Sequence, residues 1–126
     1  MHIGIAGVGK MGAAIALRLM EAGHQVSVWN RSADKLAPVI DAGATAAATP
    51  AELAQRCEAV ISILTDAAAI DGVYSGPSGL LAGDVKGKLF IEMSTVRPQT
   101  EVALAEKVRA KGAALVECPV GGSTGP

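Results

Sequence analysis

A doubly wound α/β domain, with a parallel sheet of about six strands, is the fold class this sequence predicts. Three observations predict it. Short apolar runs alternate with helix-patterned stretches along the whole chain, and no hairpin signal stands between successive runs. The first run, Ile3-Gly4-Ile5-Ala6, leads straight into Gly7-Val8-Gly9-Lys10-Met11-Gly12 and then into a helical pattern. Half of the 126 residues are hydrophobic, yet only 2% are aromatic. A core built from Ala, Val, Ile and Leu suits close packing of helices on a sheet. The length supports one domain, residues 1–126, and is too short for two ordinary ones.

Strands are expected near 2–6, 25–29, 44–47, 59–64, 88–93 and 113–117, and helices near 11–22, 33–42, 50–56, 67–74 and 99–111. Val26-Ser27-Val28-Trp29 and Ala59-Val60-Ile61-Ser62-Ile63-Leu64 are the clearest strands, being rich in β-branched residues. The first helix is apolar almost all round, which predicts burial on more than one side. Thr49-Pro50-Ala51-Glu52 combines a capping threonine, a proline in the first turn and a glutamate three residues on, the pattern of a capping box. Ser32 and Asp66 are expected to cap the second and fourth helices. Gly23, Gly43 and Gly112 each fall where a left-handed residue ends a helix, and Pro98 falls in the first turn of the fifth. The Ser75–Lys88 stretch, rich in Gly, Pro and Ser at its start, predicts a loose surface excursion.

Composition excludes several functions. The net charge is −1, basic residues are scattered and aromatic stacking platforms are missing, which argues against nucleic-acid binding. No apolar window reaches the length of a membrane span, and the N-terminus lacks a signal pattern. Cys57 and Cys118 form no C-x-x-C pair and have no nearby histidine, so two reduced thiols in a cytoplasmic protein are expected, with no metal site.

In an open parallel sheet, ligands bind beyond the carboxyl ends of the strands, near the point where strand order reverses. The unusual residues of this chain follow predicted strands at those ends. In Gly7–Gly12, Gly7 allows a tight turn, Gly9 allows close approach of backbone to phosphate, and Gly12 allows the helix to pack tightly on the strand. The N–H groups of Val8, Lys10 and Met11 belong to the same loop and helix start, where helix polarity favours an anion. Asn30-Arg31-Ser32 follows the second strand, 18 positions after Gly12. A carboxylate there would accept hydrogen bonds from ribose hydroxyls and repel a 2′-phosphate. Neutral Asn30, followed by the phosphate-gripping guanidinium of Arg31 and the hydroxyl of Ser32, predicts NADP in preference to NAD. Leu64 and Thr65 follow the fourth strand and are expected to line the cofactor cleft. Ser94-Thr95 follows the fifth, where the hydroxyls either orient the nicotinamide side or cap the next helix. Pro119-Val120-Gly121-Gly122-Ser123 follows the sixth.

Taken together, Gly7–Gly12 as G-x-G-x-M-G, Asn30-Arg31, Ser94-Thr95-Val96-x-Pro98 and the Pro119–Gly122 loop resemble the β-hydroxyacid dehydrogenases. These include 3-hydroxyisobutyrate dehydrogenase and glyoxylate/succinic semialdehyde reductase, with 6-phosphogluconate dehydrogenase and imine reductases as relatives. The resemblance covers essentially the whole chain. It implies a Rossmann cofactor domain with Thr95 on the nicotinamide side and Leu64 and Thr65 near the cofactor. It also implies an oxidoreductase passing hydride between the nicotinamide and a small β-hydroxy acid or its semialdehyde.

Two departures bear on the substrate. The family loop usually runs Asp-Ala-Pro-Val-Ser-Gly-Gly, whereas this chain has Glu117-Cys118-Pro119-Val120-Gly121-Gly122-Ser123. Gly121 stands where relatives use a serine to bind the substrate carboxylate. The N–H groups of Gly121 and Gly122, with the hydroxyl of Ser123 or Thr124, are the substrate-binding residues expected here. Family members continue into a helical domain that brings the lysine used as general acid/base, and the sequence ends at Pro126. None of Lys10, Lys86, Lys88, Lys107 and Lys111 is at a matching position, so that lysine is expected downstream, no catalytic residue is assigned here and this chain alone is expected to be inactive. A non-catalytic dinucleotide module and the cofactor domain of an imine reductase-like enzyme stay open as alternatives. The expected partners are the cofactor and a small carboxylate substrate. The oligomeric state stays open too, a homo-oligomer included.

Overall fold

The computed structural model describes residues 1–94 and 97–118. Along the chain run β1 (His2–Ala6), α1 (Lys10–Glu21), β2 (Gln25–Trp29), a 3-10 turn (Ala33–Leu36), α2 (Ala37–Asp41), β3 (Thr45–Ala46), α3 (Pro50–Arg56), β4 (Ala59–Ser62), α4 (Ala67–Ser75), β5 (Leu89–Glu92), α5 (Pro98–Ala110) and β6 (Ala114–Glu117). The six strands form one sheet in the order β3-β2-β1-β4-β5-β6, with every neighbouring pair parallel. Strand order reverses between β1 and β4, which locates the crevice.

One face of the sheet packs Ile3, Ile5, Val26, Val28 and Ile61 with residues of α1 and α2. The other packs Val60 and Phe90 against Leu53, Ile70 and Leu104 of α3, α4 and α5. No helix among the described residues is long and apolar enough to cross a membrane.

Local chemistry explains the boundaries. Thr49 Oγ1 accepts from Glu52 N–H at 3.1 Å, while the Glu52 carboxylate accepts from Ala48 N–H at 3.2 Å rather than from Thr49. The capping box therefore closes one residue earlier than its usual form. Asp66 caps α4 through Ala69 N–H at 2.8 Å, and Gly23, Gly43 and Gly112 take the expected positive φ. At the far end of α3, the Lys88 ammonium donates to the carbonyls of Ala54, Gln55 and Cys57, satisfying oxygens the helix leaves open. Burial pushes the Cys57 thiol up to about 11, with Lys88 opposing it, so this thiol stays protonated at neutral pH.

Four expectations are corrected. The single helix over 33–42 is a 3-10 turn followed by a short α2, because Pro38 has no N–H to donate and its ring crowds the carbonyl four residues back. The Ser32 side chain makes no cap hydrogen bond there. Helix α1 buries chiefly one side: Gly12 and Ala16 are buried, while Met11 and Leu17 are 42% and 41% exposed. The Ser75–Lys88 stretch is anchored. Leu80 and Val85 are fully buried, and Leu80 and Leu81 donate to the carbonyls of Val73 and Tyr74 at the end of α4.

Candidate functional site

The Gly7–Gly12 loop lies at the carboxyl end of β1, where Gly7 has φ +97°. A Cβ at Gly7 would stand 2.1 Å from the Ile63 carbonyl oxygen, and one at Gly12 would stand 2.5 Å from the Gly7 carbonyl oxygen. Only glycine lets β1, the start of α1 and the end of β4 meet this closely. A Cβ at Gly9 would meet nothing within 4 Å, so this position faces open space.

The N-terminus of α1 differs from those of α3 and α4. It has no side-chain cap and no acidic residue in its first turn, whereas Thr49 and Asp66 occupy the other two. Its first N–H groups are left for an anion. A dinucleotide pyrophosphate fits this end on the geometry alone.

Asn30 builds the next part of the site. Its amide oxygen accepts from Val8 N–H at 2.9 Å and its amide nitrogen donates to the Ser32 carbonyl at 3.0 Å. One side chain thus ties the glycine loop to the end of β2. Beyond it, Arg31, Ser32 and Lys35 line the same cleft as the loop, together with Leu64 and Thr65 after β4. The cleft has a volume of about 1020 Å³ and continues along α4 past Ala69 and Gly72 to Ser78. Lys10, Arg31 and Lys35 bring three cations to it, and none forms an ion pair among the described residues. The sequence reading missed Lys35; the 3-10 turn after Ser32 is what returns it to the cleft. A groove of about 310 Å³ between α4 and α5, crossed by the Lys107–Asp71 pair, lies elsewhere and gathers no comparable set of cations.

Thr95, Gly121, Gly122 and Ser123, expected at the nicotinamide and substrate ends, lie outside the described residues. Gly7, Val8, Gly9, Lys10, Met11, Gly12, Asn30, Arg31, Ser32, Leu64 and Thr65 are brought together around one cleft.

Beneath the strand ends lies a polar network with only a faint local sequence signal. Ser62 and Glu92 are register partners on β4 and β5. The Glu92 carboxylate accepts from Ser62 Oγ at 2.5 Å and from Ser94 N–H at 2.7 Å. Because the Ser62 proton is committed to Glu92, the 2.6 Å contact between Ser62 and Tyr74 has the phenol as donor. Burial and the nearby Glu92 charge hold the Tyr74 phenol far above its ordinary range.

Glu101 of α5 packs beside this network. It is 9% exposed and neither carboxylate oxygen has a hydrogen-bond partner among the described residues. Burial, then the charges of Glu92 and Glu117, raise it to about 7. The folded state therefore binds this proton more tightly than the unfolded chain. The stability this carboxyl group contributes is fully present below the ordinary carboxyl range and is lost as pH rises through about 7. Glu101→Gln is expected to flatten that slope and to add on the order of 1 kcal/mol at pH 8. Urea midpoints of both proteins at pH 5, 6, 7 and 8 check it, and parallel curves would contradict it.

A parallel sheet reversing at β1/β4, a glycine loop on an uncapped helix and a cationic cleft define a dinucleotide-binding Rossmann domain of oxidoreductase type. The chain belongs to the family described as the NAD binding domain of 6-phosphogluconate dehydrogenase, whose family model matches residues 2–126. It is similar to the cytokine-like nuclear factor N-PAC of Danio rerio, 40% identical over 122 residues, covering 97% of this chain and 26% of that protein. It is also similar to glyoxylate/succinic semialdehyde reductase 1 of Arabidopsis thaliana, 36% identical over 126 residues, covering all of this chain and 44% of that one. Among solved structures, Psf3 in complex with NADP+ and 2-OPP superposes with a TM-score of 0.87 at 32% identity, covering 95% and 43% of the two chains. An imine reductase from Streptomyces aurantiacus superposes with a TM-score of 0.83 at 30% identity, covering 93% and 40%. The chain thus spans less than half the length of each of these proteins.

Proposed function

We propose that this chain is the NADP-binding domain of an imine reductase-like enzyme. It holds the nicotinamide so that hydride passes from the ring to the carbon of a C=N bond, and the rest of the parent protein supplies the substrate pocket and proton donor. The observation that carries the cofactor part of the reading is the pairing, in one cleft, of an uncapped α1 with Arg31, Ser32 and Lys35, and the similarity to the Streptomyces aurantiacus imine reductase supports the C=N part. In this reading the Gly7–Gly12 backbone takes the pyrophosphate and Arg31 grips the 2′-phosphate in two-point fashion, with Lys35 as a second cation. Leu64 and Thr65 sit on the nicotinamide side, and Thr95 joins them on the strength of the sequence motif alone. A cytoplasmic location belongs to the same proposal, and the free thiols of Cys57 and Cys118 fit a reducing compartment.

The test is a fluorescence titration of the chain with NADPH and NADH. NADPH is expected to bind more tightly, and Arg31→Ala is expected to weaken NADPH by about tenfold while changing NADH by less than about threefold. Tighter NADH binding to the unaltered chain would sink the preference.

A second reading, hydride exchange with a small β-hydroxy acid or its semialdehyde, is favoured by the similarity of the whole chain to the plant reductase. Assaying the parent protein by NADPH oxidation with a cyclic imine and with succinic semialdehyde separates the two. Turnover of neither would leave a non-catalytic dinucleotide module.

A further inference from the structure

The buried network under the strand ends reaches the cleft at one point, the backbone amide of Leu64. Within the sheet, Ile63 N–H donates to the Ala6 carbonyl and Met93 N–H to the Ser62 carbonyl, both at or under 2.9 Å. Leu64 N–H is the next amide along and points the other way, to the β5 side, where the strand has ended and no backbone carbonyl is its partner among the described residues. It donates instead to Ser94 Oγ at 2.6 Å. Ser94 is 4% exposed, and its own N–H is fixed by the Glu92 carboxylate. A chain of hydrogen bonds thus runs from Tyr74 on α4 through Ser62, Glu92 and Ser94 to the turn that lines the cleft.

We propose that Ser94 is a positioning residue for the nicotinamide half of the cofactor, acting through the Leu64 amide, with Glu92 fixing Ser94 in turn. The inference rests on the dinucleotide reading above. Two features give it a direction. The adenosine side of the cleft is built from β2 and its following turn, whereas Leu64 and Thr65 follow β4, on the opposite side of β1. A dinucleotide laid across the reversal point therefore places its two halves against different supports. The Ile63 carbonyl, part of the Ile63–Leu64 peptide, also abuts the glycine turn, because a Cβ at Gly7 would stand 2.1 Å from its oxygen. Rotation of the Leu64 peptide would shift the floor between the pyrophosphate loop and the end of β4. Arg31 and Lys35 would not move with it.

That separation supplies a readout that a general loss of structure would not reproduce. Ser94→Ala, in the whole chain, removes the acceptor for Leu64 N–H and leaves the adenosine side untouched. Titrations with NADPH and with adenosine 2′,5′-bisphosphate, which lacks the nicotinamide half, are compared. The variant is expected to bind NADPH about tenfold more weakly and the bisphosphate within about twofold of the unaltered chain. If Ser94→Ala does not fold, Ser94→Cys keeps the side-chain size with a weaker acceptor, and the same split is expected in smaller measure. Equal weakening of both ligands, or no weakening of either, overturns the positioning role. Failure of the unaltered chain to bind either ligand overturns the dinucleotide reading itself, and this inference with it.

Discussion

Gly12→Ala is expected to cost about 2–3 kcal/mol of stability and to weaken NADPH binding by at least about tenfold. The added Cβ would stand 2.5 Å from the Gly7 carbonyl oxygen, a backbone atom. That oxygen has no easy retreat. Gly7 is held in a positive-φ turn, and its own α-carbon faces the Ile63 carbonyl so closely that a Cβ there would reach 2.1 Å. Relief must come from lifting α1 off the sheet, which displaces the N–H groups that the proposed reading gives to the pyrophosphate. Chemical denaturation and a fluorescence titration of the same preparation read the two effects together. An unchanged midpoint with unchanged affinity would show that the close approach is dispensable.

Glu92→Ala is expected to be the most destabilising polar truncation, at about 3 kcal/mol. Glu92 is 1% exposed and is the acceptor for both Ser62 Oγ and Ser94 N–H. Removing it leaves two buried donors unmatched, each costing about 1–3 kcal/mol. Glu92→Gln should lose less than half as much. Its amide oxygen can still accept from Ser94 N–H, while its amide nitrogen donates to Ser62 Oγ. Urea midpoints at constant slope make the comparison. Equal losses from Ala and Gln would mean that charge, rather than hydrogen-bond pairing, holds the network.

Much of this architecture was legible because local and global signals agree. The β-branched run at Ala59–Leu64 becomes β4, Thr49 and Asp66 cap the helices they precede, and the loops after β1, β2 and β4 converge on one cleft. What escaped depends on contacts between distant residues. Leu80, Leu81 and Val85 sit among Gly, Pro and Ser, so a stretch built into the core had the composition of a surface loop. Ser62 and Glu92 are 30 residues apart and become partners only through strand register. A faint signal existed, since each is a polar residue closing an otherwise apolar strand. Lys35 carried none, because its distance from Arg31 along the chain says nothing of the 3-10 turn that folds it back.

The bond from Val8 N–H to Asn30 separates two tasks that adjoining residues perform. The glycine loop is fastened at position 30, while in the proposed reading the grip on a ribose 2′-phosphate falls to positions 31 and 35. An aspartate at 30 would keep the acceptor for Val8 N–H but lose the amide that donates to the Ser32 carbonyl. Under the proposed reading, a substitution at 30 would therefore loosen the turn that carries Arg31 and Lys35, whereas one at 31 or 35 would leave both bonds of Asn30 in place.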